Sequence, residues 1–148
     1  MSDRSKPLAI AVTGGRTFGL ADYREPPERQ RAAAQERKAL EDALDKLDPK
    51  PAILMHGAAK GADTLAGIWA KRRGVAVTEC RADWPALGKA AGPKRNEAML
   101  DALSALQAEG YRVGVVAFPG GSGTENCTGY ARWLGLPVWE PLKEGKAV

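Results

Sequence analysis

Short apolar segments alternate along the chain with longer segments of mixed polarity. Each apolar segment stops at glycine, proline or polar residues, and each is short for a helix. A continuous apolar run bounded by turn residues is typical of a strand buried on both faces, as in a parallel sheet. The pattern predicts strands over 7–13, 51–56, 75–80, 111–118 and 136–139.

The intervening segments place apolar residues at helical spacing, with charged residues elsewhere. They predict helices over 28–47, 63–73, 94–108 and 125–134. Asp63 is expected to cap the second helix at its N-terminus. That helix should present one apolar face, formed by Leu65, Ile68 and Trp69. Residues 82–93 are expected to form a polar loop, and 143–148 a frayed tail.

This alternation predicts an α/β fold with helices on both faces of a mainly parallel sheet of about five strands. The length of 148 residues fits a single three-layer domain, which we expect to span residues 1–148. The apolar segments are under about ten residues, whereas a bilayer-spanning helix needs about 20. We therefore expect a cytoplasmic protein with no membrane partner.

The mild positive charge favours a small anionic ligand. The few cysteine and histidine residues favour a protein without a metal or other cofactor. A formal net charge of +4 and a pI near 9.2 are mild for a dedicated DNA-binding domain. The two cysteines, Cys80 and Cys127, lie far apart and are expected to be reduced. His56 is the only histidine, and one histidine does not build a metal site.

Glycine is enriched, with 17 residues in 148, about 11% against a usual ~7%. Seven of them lie in three loops, 13–16, 56–63 and 118–124, that follow predicted strands. Ligands in parallel α/β sheets bind at the carboxyl ends of the strands, so we expect these loops to converge. Glycine lets backbone N–H groups approach a phosphate closely, and a helix N-terminus adds further donors. The candidate ligand-binding residues are Gly14, Gly15, Arg16, His56, Gly57, Lys60, Asn96, Gly120, Gly121, Ser122, Gly123 and Thr124.

Five segments together resemble one known family: VTGGR (12–16), HGAAKGAD (56–63), ADW (82–84), AGPKRNEAML (91–100) and AFPGGSGT (117–124). In this order they resemble the YspA/YpsA-related branch of the SLOG superfamily over nearly the whole chain. That superfamily includes the LOG phosphoribohydrolases and the Smf/DprA proteins. The resemblance implies a Rossmann-like domain that binds a nucleotide or nucleotide-derived ligand, as a sensor or carrier, with its phosphate on the 120–124 loop.

The resemblance leaves a catalytic role open. The LOG enzymes use an arginine, matched here by Arg95, and a glutamate that follows the loop threonine. This chain has Asn126 where that glutamate is expected, and Glu125 one residue earlier. If the protein is an enzyme, Arg95, Glu125 and Asp63 are the candidate catalytic residues. It would then cleave the N-glycosidic bond of a nucleoside 5′-monophosphate.

Other roles also remain open at this point. Binding of single-stranded DNA, as in the DNA-processing relatives, is a less favoured alternative that the basic pI leaves open. Superfamily relatives dimerise, but no surface in the sequence identifies an interface. Trp84 is expected either to stack on a base or to cover the core. The remaining tryptophans are interpreted as packing residues: Trp69, Trp133 and Trp139.

Overall fold

The computed structural model describes residues 5–144 of the chain. Over that range the strands are β1 (Leu8–Thr13), β2 (Ile53–His56), β3 (Ala76–Glu79), β4 (Arg112–Ala117) and β5 (Val138–Trp139). The helices are α1 (Pro27–Asp45), α2 (Ala62–Arg72), α3 (Trp84–Leu87), α4 (Ala91–Ala108), α5 (Ser122–Trp133) and α6 (Pro141–Glu144), with one 3-10 turn at Gly88–Ala90.

All the strand pairs are parallel, in the order β3-β2-β1-β4-β5. This confirms the predicted α/β fold with a five-stranded sheet. The chain builds outward from β1 to β3 and then returns to the other side of β1 for β4. Because Thr13 pairs with Ala117 and Val12 with His56, the central strands end nearly level. The switch in strand order between β1 and β4 opens a crevice at that edge.

Apolar layers cover both faces of the sheet, and β1 is therefore buried along its whole length. On one face, Leu40 and Leu44 of α1 and Trp69 of α2 belong to one buried cluster. On the other face, the buried residues come from α4 and α5: Met99, Leu100, Leu103, Cys127 and Ala131. β3 lies at the sheet edge and is largely exposed.

Two helices begin earlier than predicted. α4 begins at Ala91, with Gly92 and Pro93 in its first turn, because a proline there removes no helical hydrogen bond. The expected polar loop before it is partly helical, and Asp83 caps α3 by accepting from the N–H of Ala86 (3.2 Å). α5 begins at Ser122, so its first turn contains the glycine loop itself.

Two smaller expectations about side-chain burial are also wrong. Ile68 is 44% exposed and does not share the buried face of Trp69. Trp133 is 78% exposed and stacks on Tyr130, with ring centroids 5.7 Å apart. The predicted frayed tail begins within α6, and its last residues, 145–148, lie outside the described residues. None of the helices described is long and apolar enough to cross a membrane.

The peptide groups of Gly15 join the three glycine loops. The N–H of Gly15 donates to the carbonyl of Pro119 (2.8 Å), and its carbonyl accepts from the N–H of Ala62 (3.2 Å). A Cβ on Gly15 would lie 2.8 Å from the Pro119 oxygen, and one on Gly61 would lie 2.2 Å from the Gly15 oxygen. The loops therefore meet only because these positions carry no side chain.

We predict that Gly61→Ala destabilises the fold far more than Gly74→Ala. Both glycines have positive φ, +80° and +73°, but a Cβ at position 74 meets nothing within 4 Å. Gly74→Ala should therefore lower the free energy of unfolding by only about 1–2 kcal/mol, because alanine is strained in the left-handed conformation. Gly61→Ala adds a backbone clash at the loop junction. Urea unfolding measures both variants, and equal losses would contradict the junction.

Candidate functional site

The three loops enclose a cleft of about 710 Å³ at the predicted sheet edge. This volume lies within the ~300–1,000 Å³ typical of small-molecule sites. The first glycine loop contributes Gly14, Gly15 and Arg16, and the second contributes Gly57 and Asp63. The walls are completed by α3, α4, α5 and the loop residues next to them, notably Trp84, Lys89, Arg95, Asn96, Gly121, Ser122, Gly123, Thr124 and Asn126.

The first turn of α5 presents backbone donors to this cleft. The first intrahelical bond runs from the N–H of Glu125 to the carbonyl of Gly121 (3.0 Å). The N–H groups of Ser122, Gly123 and Thr124 precede that bond, and no side chain caps the helix. These residues line the cleft. The positive end of the helix dipole therefore faces the cavity.

The glycines of this loop have different structural roles. Gly120 is required by packing, because a Cβ there would lie 2.7 Å from the backbone nitrogen of Gly15. A Cβ on Gly121 or Gly123 would meet no protein atom within 4 Å, and neither residue has a positive φ. Packing and backbone conformation therefore do not require glycine at Gly121 and Gly123, and both line the cleft.

Asp63 lies inside the site and does not cap α2, so the expected capping role is wrong. Gly61 is the N-cap residue, and the Asp63 carboxylate instead accepts from the N–H groups of Gly57 (3.0 Å) and Ala59 (3.3 Å). The side chain points back into the second glycine loop and is 5% exposed. Burial raises the pKa of Asp63 to about 6, against the N–H bonds and the positive charge of Arg95.

Arg95 connects α4 to both neighbouring loops. It is the fifth residue of α4, not the first-turn cation that the sequence suggests. Nη1 donates to the carbonyl of Gly57, and Nε donates to Oδ1 of Asn96 (2.8 Å). Asn96 Nδ2 then donates to Oδ1 of Asn126 (2.9 Å) and to the carbonyl of Gly123 (3.3 Å). This network fixes the start of α5 relative to α4.

The same network orients Asn126, which the sequence did not single out as a ligand-binding residue. Because the Asn96 oxygen accepts from Arg95, the Asn96 nitrogen must be the donor to Asn126. The Asn126 oxygen is thereby engaged, and its NH₂ group is the part of the amide left for the cleft. Its signal in the sequence was the family resemblance, in which a glutamate is expected at the position of Asn126.

The exposed wall of the cleft is cationic and aromatic. The Arg16 guanidinium lies 5.4 Å from the centre of the Trp84 ring, a cation–π contact. Trp84 is 46% exposed, so it does not cover the core. Lys89 also lines this wall, although sequence reasoning assigned its segment to a loop without a role. Asp63 is the only acidic residue among the described residues that line the cleft.

Four candidate residues do not line this cleft, and the first is Gly120, which packs against the Gly15 loop. His56 is 4% exposed, its Nδ1 accepts from the N–H of Ala58 (2.9 Å), and burial lowers its pKa. Lys60 lines a neighbouring cavity instead. Glu125 is exposed and lies outside the cleft lining, as the helical rotation predicts.

The cysteines and the acidic residues provide no metal site within the described chain. Cys127 is fully buried, and burial raises the pKa of its thiol to about 11. Burial also raises the pKa of Cys80. Over residues 5–144, no group of three or more histidine, cysteine, aspartate or glutamate side chains is arranged to hold a metal ion.

The fold and the site define a class of protein. It is a parallel α/β domain with a glycine-rich cleft, lined by hydrogen-bond donors, at the switch point of the sheet. The model of the YspA, cpYpsA-related SLOG family matches residues 8–86, more than half of the chain. The chain is also 37% identical over 114 residues to the "Gene 61 protein" of Mycobacterium phage D29, covering 70% of this chain and 85% of that protein. The chain belongs to the YspA, cpYpsA-related SLOG family.

Among solved structures, the chain is similar to DNA processing protein A (DprA) from Streptococcus pneumoniae, at 17% identity and a TM-score of 0.44. The alignment covers 91% of this chain and 59% of that one, so the chain spans less than two thirds of its length.

We predict that Asp63→Asn changes how stability depends on pH. The folded carboxyl keeps its proton up to a pKa of about 6, whereas the unfolded one loses it near 3.8. Between these values the folded state binds more protons, so wild-type stability falls as pH rises. The raised pKa of this buried carboxyl corresponds to a loss of about 3 kcal/mol in the free energy of unfolding between pH 4 and 7.

Asparagine retains the oxygen that accepts from Gly57 and Ala59 but does not titrate. Urea unfolding at a series of pH values should therefore show wild type losing stability relative to Asp63→Asn as pH rises. Gly74→Ala, which removes no titratable group, is the control and should run parallel to wild type. Parallel curves for Asp63→Asn would contradict a raised pKa at this position.

Proposed function

We propose that the protein binds a nucleotide or nucleotide-derived ligand in this cleft, as a sensor or carrier. Its phosphate accepts hydrogen bonds from the first turn of α5. The observation that carries this proposal is the pair Gly121 and Gly123, which the fold does not require and which leave the N–H groups of that turn unobstructed. A phosphate needs such close backbone approach.

The side chains around this turn support the same ligand class. Arg16, Lys89 and Arg95 supply positive charge along the cleft, and the Asn126 NH₂ group adds a neutral donor. Arginine and amide donors suit a phosphate, which only accepts at neutral pH. Trp84 offers an exposed aromatic face for a base. Membership of the SLOG family points in the same nucleotide-related direction.

The geometry supports binding better than cleavage. Hydrolysis of an N-glycosidic bond needs a carboxylate beside the developing oxocarbenium ion. Among the described residues the one carboxylate of the cleft is Asp63, which is buried and already accepts from two backbone N–H groups. Glu125 lies outside. We therefore expect no release of free base from AMP on chromatography, and steady release would contradict this conclusion.

We predict that Gly123→Ala weakens AMP binding and that Gly129→Ala does not. Both glycines lie in α5, and a Cβ at either meets nothing within 4 Å. Only Gly123 lines the cleft. A methyl group there keeps a phosphate from the helix N–H groups, so AMP affinity should fall about tenfold or more.

Calorimetric titration with AMP measures the affinities, and thermal unfolding shows that both variants fold. Gly129→Ala should raise stability by about 0.5–1 kcal/mol, as expected for alanine in a helix interior. Equal AMP affinity in wild type and both variants would contradict the phosphate position. Absence of AMP binding to wild type, and of every other nucleotide in a panel with ADP and ADP-ribose, would overturn the proposed function.

A further inference from the structure

A second cavity, of about 470 Å³, adjoins the cleft. The two cavities share Arg16, Gly57, Ala59, Trp84 and Arg95 as walls. We call the cleft the first lobe and this neighbouring cavity the second lobe. The first glycine-lined lobe contains the start of α5, and the second contains the tip of the second glycine loop and the residues after β3.

The lining of the second lobe is positively charged. Lys60 and Arg81 line this lobe alone, and Arg16 and Arg95 line both. Among the described residues, no acidic side chain lines it. Four cations around one cavity create a positive potential there, so an anion in that cavity is favoured.

The arginines remain available to such an anion. Arg16 Cζ lies 5.4 Å from the centre of the Trp84 ring, and a cation–π contact of this kind does not consume the N–H donors of the guanidinium. Arg81 pairs with Glu79 at 2.8 Å, but its side chain is 74% exposed. Exposed ion pairs contribute little and exchange readily, so a bound anion can replace Glu79 as the partner of Arg81.

We propose that the second lobe binds a second anionic group of the same nucleotide, separated from the first phosphate by the sugar. This inference rests on the proposed function, because the first phosphate is the one held at the start of α5. The ligand class is then a nucleotide with anionic groups at two sites on its sugar, of which a nucleoside 3′,5′-bisphosphate is the simplest member.

A small molecule fits this surface better than a nucleic-acid strand does. Strand-binding grooves present successive aromatic platforms along a basic track. In the described lining of both lobes, Trp84 is the single aromatic residue. A small molecule with one base and two anionic groups matches the single aromatic ring and the two groups of hydrogen-bond donors in these lobes.

The test compares three adenine nucleotides by calorimetric titration of the full chain: AMP, ADP and adenosine 3′,5′-bisphosphate. ADP and the bisphosphate have the same composition, but ADP carries its phosphates contiguously. We expect the bisphosphate to bind about tenfold more tightly than AMP and more tightly than ADP, as one added charge-assisted contact implies. In Lys60→Gln/Arg81→Gln the ratio of bisphosphate to AMP affinity should fall close to one.

The control is Lys38→Gln/Arg72→Gln, which removes the same charge from exposed cations that pair with Asp42 and Glu41 and line neither lobe. It should keep the wild-type ratio. If AMP binds and the bisphosphate gains nothing, or if the gain survives in Lys60→Gln/Arg81→Gln, this inference is overturned and the proposed function stands. If no nucleotide binds, both are overturned.

A thymidine oligonucleotide serves as the final probe. Tighter binding of the oligonucleotide than of the bisphosphate, lost in Lys60→Gln/Arg81→Gln, would assign the second lobe to a strand and overturn the inference. Weaker binding of the oligonucleotide supports the small-molecule ligand.

Discussion

The close contact of three loops around Gly15 is the constraint on which the site depends. Its N–H group holds the loop after β4, and its carbonyl holds the start of α2. Parallel strands that end nearly level bring the loops to one edge, but only the absence of side chains lets their backbones touch. This contact fixes where α2 and α5 begin. It therefore sets the direction in which the first N–H groups of α5 point.

The loop glycines separate into two groups by what surrounds them. Four of them could not carry a Cβ without striking a neighbouring loop or helix: Gly14, Gly15, Gly61 and Gly120. A Cβ on Gly57 would lie 2.6 Å from the Arg95 guanidinium. Gly121 and Gly123 have open space around them, and these two lie where α5 meets the cleft. Internal packing does not account for these two glycines, whereas the proposed phosphate would.

Much of the fold was predictable, because β1 and β4 are short, mainly apolar runs of the kind typical of buried parallel strands. The position of the site at the switch point followed from the sheet. The helix starts were harder, since Gly92 and Pro93 look like loop residues although a first turn tolerates both. The hydrogen-bond partners of residues far apart in the chain could not be predicted from the sequence. The carboxylate of Asp63 accepts from a loop that precedes it, and the amide of Asn126 is oriented through α4.

The proposed nucleotide phosphate sits on the backbone N–H groups at the start of α5. An NMR titration of the ¹⁵N-labelled protein with AMP tests this at the atoms concerned. The account predicts downfield shifts of the amide protons of Ser122, Gly123 and Thr124, because each would then donate to an anion. Amides at the far end of the sheet should not move. Saturable shifts confined to another surface, with those three amides unchanged, would contradict it.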